Sequence, residues 1–225
     1  VLNATVVDIT SGVNTVVFTA TNTSGNVNYN GASSGANWLN SSFDTTQLAD
    51  GYHNVTVTAT DHAGNANNSV WNQFLIDNSG PNFFALNKTP VTSYNNDSVR
   101  LNATINDTFM DVASVWLAGN WTGTWTNYTI TSLNQIYSYL IGAGNFSNQD
   151  SVGYEWFAND TLGNINSSGL QQFTVANRAP AFNASMNISD ASWNENDAGP
   201  SINLTPYFYD LDLDNLNYTA VVQSS

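Results

Sequence analysis

GYHNVTVTATDHAGNANNSVWNQFLIDNSGP, residues Gly51 to Pro81, decides the reading of this chain, because its second half returns ninety-nine residues later without a gap. Asp61-His62-Ala63-Gly64-Asn65 returns as Asp160-Thr161-Leu162-Gly163-Asn164, Gln73-Phe74 as Gln172-Phe173, and Pro81 as Pro180. Leu2-Asn3-Ala4-Thr5 likewise returns as Leu101-Asn102-Ala103-Thr104. A period near a hundred residues is too long for a solenoid and suits a string of whole β-sandwich domains. Within the stretch, Val55, Val57 and Ala59 alternate with Thr56, Thr58 and Thr60, the pattern of a half-buried strand. Asp61 can then take backbone amides in a turn while Gly64 supplies a positive φ, and Val70 to Asp77 reads as the return strand. Asp61 is read as a turn residue rather than a metal ligand, since Ala63, Gly64 and Asn65 surround it.

The run VTVTATDHAGNANNSVWNQFLIDNSGP resembles the last hairpin and exit linker of immunoglobulin-like repeats found in tandem in prokaryotic secreted and cell-surface proteins, archaeal ones among them. The resemblance covers residues 1 to 180 and implies an all-β chain of antiparallel sandwiches laid end to end, serving as spacers, adhesin stalks or accessory modules. Trp193 to Tyr218 resembles the first half of a cadherin-like repeat.

Composition narrows the function. Lys88, Arg100 and Arg178 are the only basic residues against 17 acids, and the net charge is −14. Nucleic-acid phosphates would find almost no donors, and an anionic membrane surface would repel the chain. Cysteine is absent, so no disulfide framework forms. No 18-residue apolar window exists for membrane insertion. The polar exterior must therefore be built from Asn, Ser and Thr.

Three segments follow. Residues 1–81 form an immunoglobulin-like domain without its first strand, 82–180 a complete one, and 181–225 the start of a third, cadherin-like or immunoglobulin-like domain. Either a preceding stretch of a longer chain or a neighbouring subunit supplies the first strand by β-addition. Strands are expected at 2–9, 13–21, 26–30, 35–39, 52–60 and 70–77, then at 83–87, 99–106, 113–119, 124–131, 136–141, 151–159 and 169–176.

The densest chemical signal is Asn-x-Ser/Thr. Eighteen such triplets occur, led by Asn3, Asn22, Asn40, Asn54, Asn67, Asn87, Asn96, Asn102, Asn106, Asn120, Asn127, Asn145, Asn159, Asn166, Asn183, Asn187, Asn203 and Asn217, more than twice what random order gives. Strand parity puts Asn3, Asn54, Asn102, Asn106, Asn203 and Asn217 outward, where an N-linked glycan can be carried. The competing reading is a polar β-surface whose sequons are partly statistical.

Asp210, Asp212 and Asp214, with Glu195, offer hard oxygen ligands for calcium, the one candidate cofactor. Leu211 and Leu213 stand between them, where the cadherin-like pattern usually has Pro and Gly. Trp121 and Trp125 are read as exposed on a hairpin and able to stack on sugar rings, whereas Trp116 and Trp156 are read as core. His53 and His62 are the only imidazoles, and no nucleophile elbow, phosphate loop or zinc cluster appears. The expectation is a non-catalytic, glycosylated extracellular module of a fibre, filament or adhesin stalk, which self-associates or joins neighbouring subunits. The alternative is a carbohydrate- or partner-binding accessory module of a secreted protein.

Overall fold

The computed structural model describes residues 1–219 apart from 134, 149, 188–191, 193, 195, 197, 199 and 200; Ser132 and Leu133 are described for their backbone. The fold is all-β, and no helix among the described residues is long and apolar enough to cross a membrane.

The first repeat has seven strands: β1 Leu2–Thr5, β2 Val13–Asn22, β3 Gly25–Asn30, β4 Ala32–Ser34, β5 Asn37–Asn40, β6 Gly51–Asp61 and β7 Ala66–Ile76. One sheet runs β1-β5-β4 and the other β3-β2-β6-β7. The second repeat adds β8 Asn82–Thr89, β9 Ser93–Tyr94, β10 Val99–Asn106, β11 Val112–Gly119, β12 Thr126–Ile130, β13 Ser132–Leu133, β14 Ile136–Ile141, β15 Ser151–Asp160, β16 Ile165–Ser167 and β17 Gln171–Ala176. Its sheets run β13-β14-β10-β8 and β12-β11-β15-β17-β9. Equivalent strands thus take equivalent places in both repeats. The order in the second repeat is that of an immunoglobulin sandwich, with strands A, B, E and D in one sheet and C, F and G in the other. The expected strands appear, most with small shifts at their ends, but the one expected at 2–9 stops at Thr5 and the one expected at 70–77 already begins at Ala66. The short strands β4, β9, β13 and β16 escape a periodicity reading, because two or three residues cannot establish an alternation.

Two differences separate the repeats. In the second, β10 lies between β14 and β8, and β17 pairs with β15 and, in parallel, with β9. In the first, β1 and β7 are sheet edges. Val57 and Ala59 of β6 stay half-buried there, whereas their counterparts Trp156 and Ala158 of β15 are 0% exposed. A groove of about 590 Å³ opens on the first repeat's pair, lined also by Val6, Val13 and Val70.

By compactness the chain divides into two units. One comprises Val1–Asn82, Asn106–Ser114 and Ala158–Asn166; the other comprises Phe83–Ile105, Val115–Phe157 and the described residues from Ser167 onward. The core of the first is Val16, Phe18 and Ala20 of β2 with Trp38, Leu48, Val55 and Ile76. In the second, Val99, Leu101, Ala103 and Ile105 of β10 are buried, as are Leu117, Ile141 and Trp156. The strict alternation along β10 explains its stability, since each large apolar side chain taken out of water contributes about 1.5–3 kcal/mol. Past the second repeat, β18 Ala181–Phe182 pairs antiparallel with β19 Phe208–Tyr209.

Candidate functional site

The Asp-x-x-Gly-Asn turn is built twice in the same way. Asp61 accepts the Asn65 N–H at 2.8 Å and the Asn65 amide at 2.8 Å, and Asp160 accepts the equivalent Asn164 groups at 2.9 and 2.7 Å. Gly64 and Gly163 carry φ of 90° and 92°, a conformation that a β-carbon would strain. The turn reading of Asp61 therefore holds.

Asp160 also has company that the sequence reading missed. Carboxylate oxygens of Asp77, Asp107 and Asp160, all in the first unit, lie within 4.8 Å of one another. Asp107 follows β10 and uses one oxygen to accept the Phe109 and Met110 N–H groups at 2.9 and 3.1 Å. Asp77 follows β7, is 8% exposed, and accepts the Ser79 N–H at 3.2 Å through Oδ1. Its Oδ2 is buried and has no hydrogen-bond partner. Burial raises the Asp77 carboxyl above its ordinary 3.8, and the charges of Asp107, Asp160 and Asp50 push the same way against the Ser79 N–H.

The segment carrying Asp77 is fixed against the Asp160 turn. Asn164 Nδ2 donates to the Asp77 carbonyl at 3.1 Å, and Asn166 Nδ2 to the Pro81 carbonyl at 3.0 Å. Gly80 approaches so closely that a β-carbon would fall 2.7 Å from the Ile165 carbonyl carbon. All three Lys and Arg side chains belong to the second unit. Lys88 Nζ donates to the Pro90 and Val91 carbonyls and to Ser93 Oγ, and Arg100 to Ser138 Oγ. Both ion pairs among the described residues belong to Arg178.

One signal could have found this group. Asp8 and Asp61 return as Asp107 and Asp160 at the same offset of 99, and Ser11 Oγ joins the earlier pair at 2.9 and 2.8 Å. Two recurring acids brought together by the fold are a stronger hint than either alone.

The C-terminal acids each meet a different protein group. Asp212, 3% exposed, receives the Arg178 backbone N–H and Nη1, both at 2.5 Å. Asp210 accepts the Asp212 N–H at 2.7 Å, and Asp214 the Asn148 amide at 2.8 Å. Glu195 lies outside the described residues.

Of the eighteen sequon asparagines, Asn3, Asn54, Asn67, Asn87, Asn96, Asn127, Asn145, Asn166, Asn187, Asn203 and Asn217 are exposed. Asn22, Asn102, Asn106, Asn120, Asn159 and Asn183 are half-buried. Asn40 stands apart: it is 9% exposed, and its amide donates to the Asn30 carbonyl at 2.8 Å. At Asn22, Asn67, Asn183 and Asn203 the side-chain oxygen accepts the N–H two residues on, so part of the sequon pattern is turn chemistry.

The proposed aromatic platform requires correction. Trp125 is 54% exposed, but Trp121 is 6% exposed, stacked on Tyr128 at 4.9 Å and beside Tyr139 at 5.4 Å. Tyr128 and Tyr139 bring the aromatic surface that covers it. Trp156 is core as expected, whereas Trp116 is half-buried and stacked on Phe157 at 5.4 Å.

No protein-family model matches the chain. No curated protein matches it either. Among solved structures it is similar to a tetra-tandem repeat in the extending region of a large adhesion protein, with TM-score 0.35 and 20% identity over 74% of this chain and 42% of that one. It is also similar to fibronectin(III)-like modules of Clostridium thermocellum CbhA, with TM-score 0.32 and 17% identity over 76% of this chain and 80% of that one. The D00-D0 domain of Intimin gives TM-score 0.31 and 12% identity over 74% of this chain and 87% of that one. The chain thus spans less than half of the adhesion-protein repeat. Its own strand order defines the class: a tandem immunoglobulin-like β-sandwich chain.

Proposed function

We propose that this chain is a non-catalytic, N-glycosylated structural module of an extracellular fibre, filament or adhesin stalk, with repeats at residues 1–81 and 82–180. The single observation that supports this reading best is the coincidence of sequons with the solvent face: eleven of the eighteen sequon asparagines are exposed. Sugars there coat a β-surface already poor in charge and shield sheet edges from unwanted pairing. The work of such a module is to hold shape, through ladders of backbone hydrogen bonds and sandwich cores. Self-association by β-addition belongs to the same reading, since the β1 edge offers unpaired backbone groups to an added strand.

Glycopeptide mapping of the chain isolated from its native source tests the proposal. Glycans are expected at Asn3, Asn54, Asn203 and Asn217. All four unmodified would withdraw the glycosylated-module reading.

A further inference from the structure

We propose that Asp77, Asp107 and Asp160 form a calcium site that fastens the segment after β7 to the loop after β10 and to the β15–β16 turn. The donor set is three carboxylates, with no imidazole or thiolate, which selects a hard cation. Calcium–oxygen distances of about 2.3–2.6 Å let one ion touch oxygens as far apart as about 4.6–5.2 Å. The spread of these three, at most 4.8 Å, falls inside that reach.

The second, independent observation is Asp77 Oδ2, an acceptor that is buried, has no hydrogen-bond partner and sits on a carboxylate facing two others. A buried acceptor left unmade is costly, and so is a concentration of like charge. One divalent cation answers both. The site also has its supports in place: backbone N–H groups hold Asp107 and Asp160, and Asn164 ties the Asp160 carboxylate to the Asp77 carbonyl. Calcium takes six to eight oxygens, so water completes the shell. At the exit of the second repeat the offset of 99 puts Ala176 where the first has Asp77.

The test is calorimetric titration of calcium into the full, unglycosylated 225-residue chain after chelator treatment, which separates this proposal from the sequon question. Saturable binding is expected, weakened roughly tenfold or more in Asp77→Asn, because affinity follows the number of charged ligands. Calcium should also slow proteolysis of the Asn78–Pro81 segment in the unsubstituted chain, a readout that needs no variant to fold. Binding that Asp77→Asn leaves intact and that is lost in Asp210→Asn or Asp214→Asn would move the ion to the C-terminal acids and overturn the assignment. No saturable binding to the unsubstituted chain would overturn it as well.

Discussion

Trp121 lies across Gly119 at a distance that leaves no room for a β-carbon, which would sit 1.8 Å from the indole Cζ3. The indole is held there by Tyr128 and Tyr139, so it cannot swing clear cheaply. Gly119→Ala should destabilise the second repeat by about 1–3 kcal/mol through overpacking. The double variant with Trp121→Ala should cost less than the two single losses added together. Urea unfolding followed by tryptophan fluorescence measures both, and simple additivity would contradict the geometry.

Asp77 carries a prediction whose sign changes with the solvent. The folded chain keeps the Asp77 proton at a pH where the unfolded chain has released it, so folding loses stability as pH rises from 3.8 through the raised folded value. In chelator at neutral pH, Asp77→Asn should therefore melt higher than the unsubstituted chain. With calcium a hundredfold above its dissociation constant, the ion adds about 2.7 kcal/mol to the unsubstituted chain, and the order should invert. Differential scanning calorimetry under both conditions reads the crossing.

The opposite sign holds at Asp8. Backbone and side-chain bonds from Thr10, with the Ser11 hydroxyl, hold its carboxyl at about 2. Its contribution is present above 3.8 and lost as pH falls from 3.8 towards 2. Asp8→Asn should flatten that stretch of the acid-unfolding curve while leaving calcium affinity at Asp77 unchanged.

Arg178 pairs with Asp212, whose side chain is buried. Its guanidinium also lies 3.6 Å over the Tyr94 ring and 3.7 Å from Asp97. Arg178→Met removes the countercharge from a buried carboxylate and should cost about 3–5 kcal/mol. Lysine restores charge without the planar fork and should recover part of the loss. Equilibrium denaturation compares the three chains.

Glycan occupancy should follow exposure rather than motif. Asn40 and Asn54 both begin valid triplets, yet the Asn40 amide is buried and spent on the Asn30 carbonyl. Glycopeptide mapping should find Asn54 modified and Asn40 bare; the reverse would contradict the placement of β5.

The recurrence at an offset of 99 made the fold legible, because Leu101, Ala103 and Ile105 alternate as cleanly as the strand they predict. The same parity sets Asn102 and Asn106 on the side of β10 away from its buried residues, where both are half-exposed; Asn102 Nδ2 donates to Asn87 Oδ1 at 2.8 Å. Trp121 was misread because its burial depends on Tyr139, eighteen positions away and on another sheet. The carboxylate group was hidden for a similar reason, being assembled from Asp77, Asp107 and Asp160 on separate segments. Local spacing describes one segment at a time, whereas a site made of three appears only when the chain closes on itself.

The difference between Val57 and Trp156 at equivalent positions has a consequence for biogenesis. Neighbouring modules of like topology can exchange strands while folding and jam as misassembled pairs. Here valine delivered into the slot that buries the indole leaves a void, whereas Val57 borders an open groove. The β6 strand is thereby penalised in the place of β15, a size-coded safeguard against scrambling along the chain.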